Sequence, residues 1–209
     1  MLGVCLASTS LLIWVWITVC RICTGCYYRL RQLRRLRRSL DSDWLAILVY
    51  AVITSRIDCC NTVLAGAPRT VTDKLQRVLN AAARVVTGTR KFDRGLGQTL
   101  HDELHWLDDP DQVFFKLVVT VHRCLNGRAL PYLLDYCVPI AGADSRRHLR
   151  SANRQLLAVP GYRLSTYGHR AFSVADPMVW NSLPDFIRDS TISTDCFRRL
   201  LKTYLFARY

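Results

Sequence analysis

Apolar positions recur at three and four residues over most of this chain. From residue 27 to residue 40, Tyr27, Leu30, Leu33, Leu36 and Leu40 fall on one face, with Arg29, Arg31, Arg34, Arg35, Arg37 and Arg38 spread over the rest. That spacing predicts an amphipathic basic helix. Asp41 or Asp43 suits the cap of a second helix, and Trp44 to Ile53 is apolar enough to be a buried one. Ala65-Gly66-Ala67-Pro68 marks a break. A third helix begins at Thr70, carries Leu75, Val78, Leu79, Ala82, Val85 and Val86 at helical spacing, and ends at Gly88. The small residues Ala81 to Ala83 would let another helix approach closely. A loop through Gly95 and Gly97 leads to a short helix at Leu100 to Leu107. Asp109 then serves as a cap, Pro110 takes a first-turn position, and Val113 to Leu125 forms a helix stopped by Asn126-Gly127.

Beyond residue 140 the pattern changes. Gln155 to Val159 and Arg163 to Tyr167 are short stretches separated by Pro160 and Gly161, which fit a small β-hairpin or two extended segments. A helix is expected from Ala175 or Asp176 to Leu183. Thr194 would cap a last amphipathic helix carrying Phe197, Leu200, Leu201, Tyr204 and Leu205. The expected fold class is mainly α, a helical bundle with a small β-hairpin in the C-terminal part. It divides into an apolar segment (1–20), a helical region (21–140) and a basic C-terminal extension with short strands and terminal helices (141–209).

Met1 to Cys20 carries no charged side chain, and Leu11 to Val19 reads LLIWVWITV. A helix needs about 20 apolar residues to cross a bilayer. Arg21 and the arginines up to Arg38 follow, with no acid before Asp41, so a span here would be a signal anchor with the C-terminal part in the cytoplasm. There is no basic residue ahead of the apolar run and no small-x-small site before Arg21, which argues against a cleaved signal. The other readings are a buried helix or strand, or a nonfunctional start produced by truncation.

Charge narrows the choice of partners. With 29 Lys and Arg against 16 acids, the formal charge is +13, and a polyanion, either nucleic acid or an acidic membrane surface, is the first partner to consider. A solvated basic surface is the simpler alternative. Nine cysteines, an odd and unevenly spaced set, do not suit the disulfide framework of a small secreted domain. They point to an intracellular, reducing setting, nucleus or cytoplasm, with most thiols acting as small apolar side chains.

Few constellations carry chemistry. Cys20, Cys23 and Cys26 have the spacing of a metal knuckle but lack a fourth ligand nearby. His101 and His105 are four apart, yet the Glu that follows the first His in a metalloprotease helix is replaced by Asp102. Asp108-Asp109 precedes Pro110, which marks a helix start rather than the strand hairpin that holds two polymerase metals. No catalytic residue, metal ligand or cofactor is therefore expected. Arg146, Arg147, His148, Arg150 and Arg154, near Tyr162, Arg163, Tyr167, His169 and Arg170, interleave arginine with aromatics. Such a cluster can contact phosphates and stack on bases, or else cover apolar surface and pair with scattered acids.

Several spaced strings carry a resemblance. They are Ser55-Arg56-Ile57-Asp58 with Asn61, Asp73-Lys74-Leu75-Gln76-Arg77, Asn80-Ala81-Ala82-Ala83-Arg84, Val86-Thr87-Gly88-Thr89-Arg90 and His105-Trp106-Leu107. Arg146-Arg147-His148-Leu149-Arg150-Ser151 and Trp180-Asn181-Ser182-Leu183-Pro184 complete the set. Together, over residues 20–206, they resemble the thumb and post-palm region of reverse transcriptases from non-LTR retrotransposons, the LINE-type elements of the jockey group. The resemblance implies a thumb-like bundle that grips a template and primer duplex, with Lys74, Arg77, Arg84 and Arg90 as binding residues. Fingers, palm aspartates and endonuclease have no counterpart here, so no catalytic residue carries over. The expectation is a truncated, noncatalytic fragment that retains nonspecific RNA or DNA affinity. A single-pass membrane protein with a cytoplasmic retroelement-derived domain, and a nonfunctional translated relic, are the alternatives. The chain departs from the family at Cys59, where Tyr is usual, and at Asp109 and Asp176, where acids are uncommon.

Overall fold

The computed structural model describes residues 2–59, 64–90, 92–140, 155–161, 171–189 and 191–209, with side chains from residue 13 onward. Nine α-helices occur among them: α1 Leu2–Leu36, α2 Ser42–Val49, α3 Ser55–Asp58, α4 Arg69–Thr87, α5 Leu96–Gln98, α6 Asp109–Leu125, α7 Pro131–Leu134, α8 Phe172–Asn181 and α9 Thr194–Phe206. The fold is mainly α. The chain divides into two compact units, Met1–Gln112 and Val113–Tyr209.

In the first unit, the apolar segment and the basic segment are two halves of one helix, because α1 passes residues 20 and 21 without a break. Its buried face is Val15, Val19, Cys23, Cys26, Leu30 and Leu33, at spacings of three and four. Cysteines thus fill the middle of the stripe as small apolar groups. Tyr27 and Leu36, expected on that face, lie at its exposed edges. Ile13, Trp14 and Ile17 are exposed, and no helix among the described residues is long and apolar enough to cross a membrane. The side chains of residues 1–12 lie outside the described ones.

Asp41 starts α2 as expected, its Oδ1 accepting the Ser42 N–H at 2.8 Å. A π-helical turn over Tyr50–Thr54 joins α2 to α3, so Leu45, Val49, Ile53 and Ile57 form one buried line four residues apart. That line and Thr54 are buried. Trp44, Ile47 and Tyr50 face outward, which corrects the expectation of a fully buried segment.

Helix α4 has the strongest two-faced pattern, with Val71, Leu75, Val78, Leu79, Ala82, Ala83, Val85 and Val86 buried. It ends at Gly88, which takes φ +80 and donates its N–H to the Arg84 carbonyl. The expected helix at Leu100–Leu107 is shorter than predicted. After α5, a π-helical turn over Thr99–Glu103 ends before His105, whose φ is +53. His101 Nδ1 then meets the Trp106 carbonyl at 2.9 Å, so the two histidines serve local turns rather than one helical face.

In the second unit, α8 and α9 surround Trp180 and Phe197, both fully buried, with Leu201, Leu205 and Ile187. Helix α8 begins at Phe172, earlier than expected, and α9 is capped by Ser193 rather than Thr194. His122 stacks on Phe197 at 4.0 Å, with its Nε2 at 3.1 Å from the Ile192 carbonyl. Burial lowers its pKa, which keeps the imidazole neutral and lets Nε2–H donate.

No sheet forms among the described residues. Leu157 makes a single antiparallel bridge to Pro139, with Ile140 N–H bonded to Leu156 and Ala158 N–H bonded to Val138. The hairpin arm at 155–159 therefore pairs with the segment after α7. The other expected arm, 163–167, lies outside the described residues.

Asn181 explains the local role of the Trp180–Pro184 string. Its amide clamps Leu157, accepting from the Leu157 N–H and donating to the Leu157 carbonyl, both at 2.9 Å. Trp180 Nε1 donates to the Gln155 carbonyl at 2.9 Å. Neighbouring side chains of α8 thus supply the partners that a second strand would otherwise provide. Replacing Asn181 with Ala leaves a half-buried backbone pair unmatched and is expected to cost about 1–3 kcal/mol in denaturant unfolding.

Candidate nucleic-acid interface

Helices α1 and α4 run parallel where they pack. Lys74 near the start of α4 lies against Trp16 and Cys20, whereas the Arg37 guanidinium, just past the end of α1, packs over Gly88 at the end of α4. Ala81 lies beside Tyr27 and Leu30, so the small residues of α4 do admit a neighbouring helix. The side chains diverge on one flank of this pair.

That flank is a groove of about 950 Å³ lined by Tyr27, Arg34, Arg37, Arg38, Arg77, Asn80, Ala81, Arg84, Val85, Thr89 and Arg90. Six of these are arginines and none is an acid. Arg34, Arg37 and Arg38 share a face of α1 and its extension because they are three and four residues apart. Arg77 and Arg84 are seven apart on α4, two turns along the same face, with Asn80 and Ala81 between them. Among the described residues none of the six guanidinium groups forms a salt bridge. Arg84 Nε is shielded from solvent and has no hydrogen-bond acceptor there.

Two physical effects hold this array of like charges together. The carbonyl ends of α1 and α4 lie at the same end of the pair, and a helix C-terminus favours nearby cations. Gly88 supplies the second effect, because a Cβ at that position would collide with the Arg37 guanidinium. Tyr27 forms one wall. Burial raises its pKa, so the ring presents a neutral phenol with an exposed edge beside Arg77.

Of the sequence-derived candidates, Arg77, Arg84 and Arg90 come together in the groove. Lys74 does not: its Nζ lies 3.3 Å above the Trp16 ring and 3.2 Å from Cys20 Sγ. Arg146, Arg147, Arg150, Arg154, Arg163 and Arg170 lie outside the described residues. Arg34, Arg37 and Arg38 complete the lining although they read as the solvated side of a basic helix. Their spacing along α1 was visible, but their meeting with α4 is a tertiary fact.

Asp109, expected as a cap, is fully buried at the start of α6. Its backbone N–H donates to Gln76 Oε1 at 2.8 Å, and Gln76 Nε2 donates to Asp108 Oδ1 at 2.7 Å. Neither carboxyl oxygen of Asp109 has a hydrogen-bond partner among the described residues. Burial, helped by the neighbouring Asp108 charge, pushes its pKa up to about 7. Gln76 thus ties the start of α6 to α4, and its Nε2 also donates to Asn80 Oδ1 at 3.1 Å, on the edge of the arginine groove.

No family model, curated protein or solved structure matches this chain.

Proposed function

We propose that this chain binds the phosphate backbone of RNA or DNA in the groove between α1 and α4, as a noncatalytic helical piece related to the post-palm region of non-LTR reverse transcriptases. The convergence of six arginines from two parallel helices, with no carboxylate in the lining, carries the reading. Guanidinium groups bind phosphate oxygens in a fork, and Tyr27 offers a ring on which an unpaired base can stack. Such contacts position a strand without reading its sequence.

Filter binding of single-stranded RNA tests the proposal. If all six arginines meet phosphates, the slope of log K against log salt is about −4, so affinity falls roughly 300-fold between about 50 and about 200 mM salt. Arg34→Ala with Arg84→Ala should flatten the slope by about 1.4. Absence of binding at low salt overturns the proposal, and so does an unchanged slope in the double variant. Retained binding in that variant, lost only on altering Arg146, Arg147 and Arg150, would move the interface to the C-terminal extension.

A further inference from the structure

We propose that Cys20 is a site of mixed-disulfide formation with small anionic disulfides, and that Lys74 is its positioning partner. Cys20 is half-buried on α1, with its Sγ 3.2 Å from Lys74 Nζ. The ammonium also lies over the Trp16 ring, 3.3 Å from Nζ to the ring centroid. Trp16 and Cys20 are on successive turns of α1, so the ring contact holds the Lys74 ammonium beside the sulfur.

The second observation is the space beside this pair. A cavity of about 240 Å³ is lined by Cys20, Cys23, Thr24, Tyr27, Lys74 and Arg77. Its charged lining is wholly basic, and Thr24 and Tyr27 add polar groups. A low-molecular-weight disulfide bearing carboxylates fits that chemistry. Cys23 is no competitor for it, because burial pushes its thiol up to about 11.

The exchange is balanced without an outside oxidant. Deprotonated Cys20 Sγ attacks one sulfur of the disulfide, the new S–S bond forms as the old one breaks, and the departing thiolate takes up the proton that Cys20 gave up. The Lys74 ammonium lies beside the attacking thiolate, whose negative charge passes to the leaving sulfur as the bonds exchange. That electropositive, partly open setting separates a reactive thiol from an inert buried one. The proposal stands independently of nucleic-acid binding.

The test uses the full chain with glutathione disulfide as probe, followed by peptide mass analysis at each cysteine. Cys20 is expected to be modified roughly tenfold faster than the exposed Cys59 and Cys196. Lys74→Gln should remove that advantage, and Lys74→Arg should restore most of it. A neutral probe, hydroxyethyl disulfide, should show a much smaller preference on the unaltered chain. Equal rates at Cys20, Cys59 and Cys196 overturn the proposal, as does a Lys74→Gln chain that reacts as fast as the original. If Lys74→Gln unfolds the unit, buried Cys23 and Cys26 become reactive together. The charged against neutral comparison on the unaltered chain then decides.

Discussion

Raising the pH from about 4 to about 8 is expected to remove on the order of 5 kcal/mol of stability through Asp176 alone, and Asp176→Asn should abolish most of that loss. Asp176 lies on α8, is 0% exposed, and has no hydrogen-bond partner for either carboxyl oxygen among the described residues. Burial raises its pKa from 3.8 to about 8. Its neighbours add nothing to offset this: Cys124 and Cys137, which feel its charge, are themselves buried thiols with raised pKa values.

The direction follows from proton counting. Below the unfolded value of 3.8 both states are protonated, and the group's favourable contribution is complete. As the pH rises, the unfolded chain releases its proton first, so stability falls until the folded carboxyl also ionises near pH 8. An asparagine keeps the size and the neutral polar end without the ionisation. Urea unfolding followed by circular dichroism across this range, on both proteins, provides the measurement. Parallel pH profiles for the two would show that Asp176 titrates normally and is solvated. Asp109 should behave in the same sense in the first unit, over the narrower window from 3.8 to about 7.

The second large effect is expected at Trp180. Its side chain is fully buried, stacks against Phe197 at 6.0 Å between ring centroids, and donates to the Gln155 carbonyl. Trp180→Ala empties the centre of the second unit and is expected to cost about 3–5 kcal/mol. Part of that is the cavity. Part is the lost hydrogen bond from Nε1–H to the carbonyl of Gln155, a residue whose φ of 52 is rarely adopted by one bearing a side chain. Trp180→Phe separates the two contributions, since it keeps most of the ring while removing the donor. Denaturant unfolding should rank the original chain above Trp180→Phe and that above Trp180→Ala. A loss below about 1 kcal/mol for the alanine variant would show that this core does not hold the unit together.

Much of the helical pattern was legible in the residues. The α4 stripe, its end at Gly88, the Asp41 cap and the stop at Asn126-Gly127 all follow from local chemistry that operates within a few residues. Errors arose where distant packing chose the outcome. Trp44, Ile47 and Tyr50 are as apolar as Leu45 and Val49, and only the direction of the neighbouring helices decides which line is covered. Leu157 looked like one arm of a hairpin because its turn residues were local. Its actual partners, Pro139 and Asn181, lie 18 and 24 residues away. Asp109 and Asp176 stood out as departures from the resembled family, but sequence position made one a cap and the other a candidate helix start. Their burial is set by the surrounding core.

The candidate groove was half legible. Arg77, Arg84 and Arg90 could be listed from the third helix, and a charge of +13 pointed to a polyanion. Residue spacing alone therefore determined the amphipathic helices, the breaks between them and the supply of arginines, because helix geometry is local. The tertiary structure decided that α1 lies parallel to α4, that Arg34, Arg37 and Arg38 join the lining, and that Lys74 is drawn off to Trp16 and Cys20. Those outcomes depend on which apolar stripes meet, and burial energy is settled between segments rather than within one.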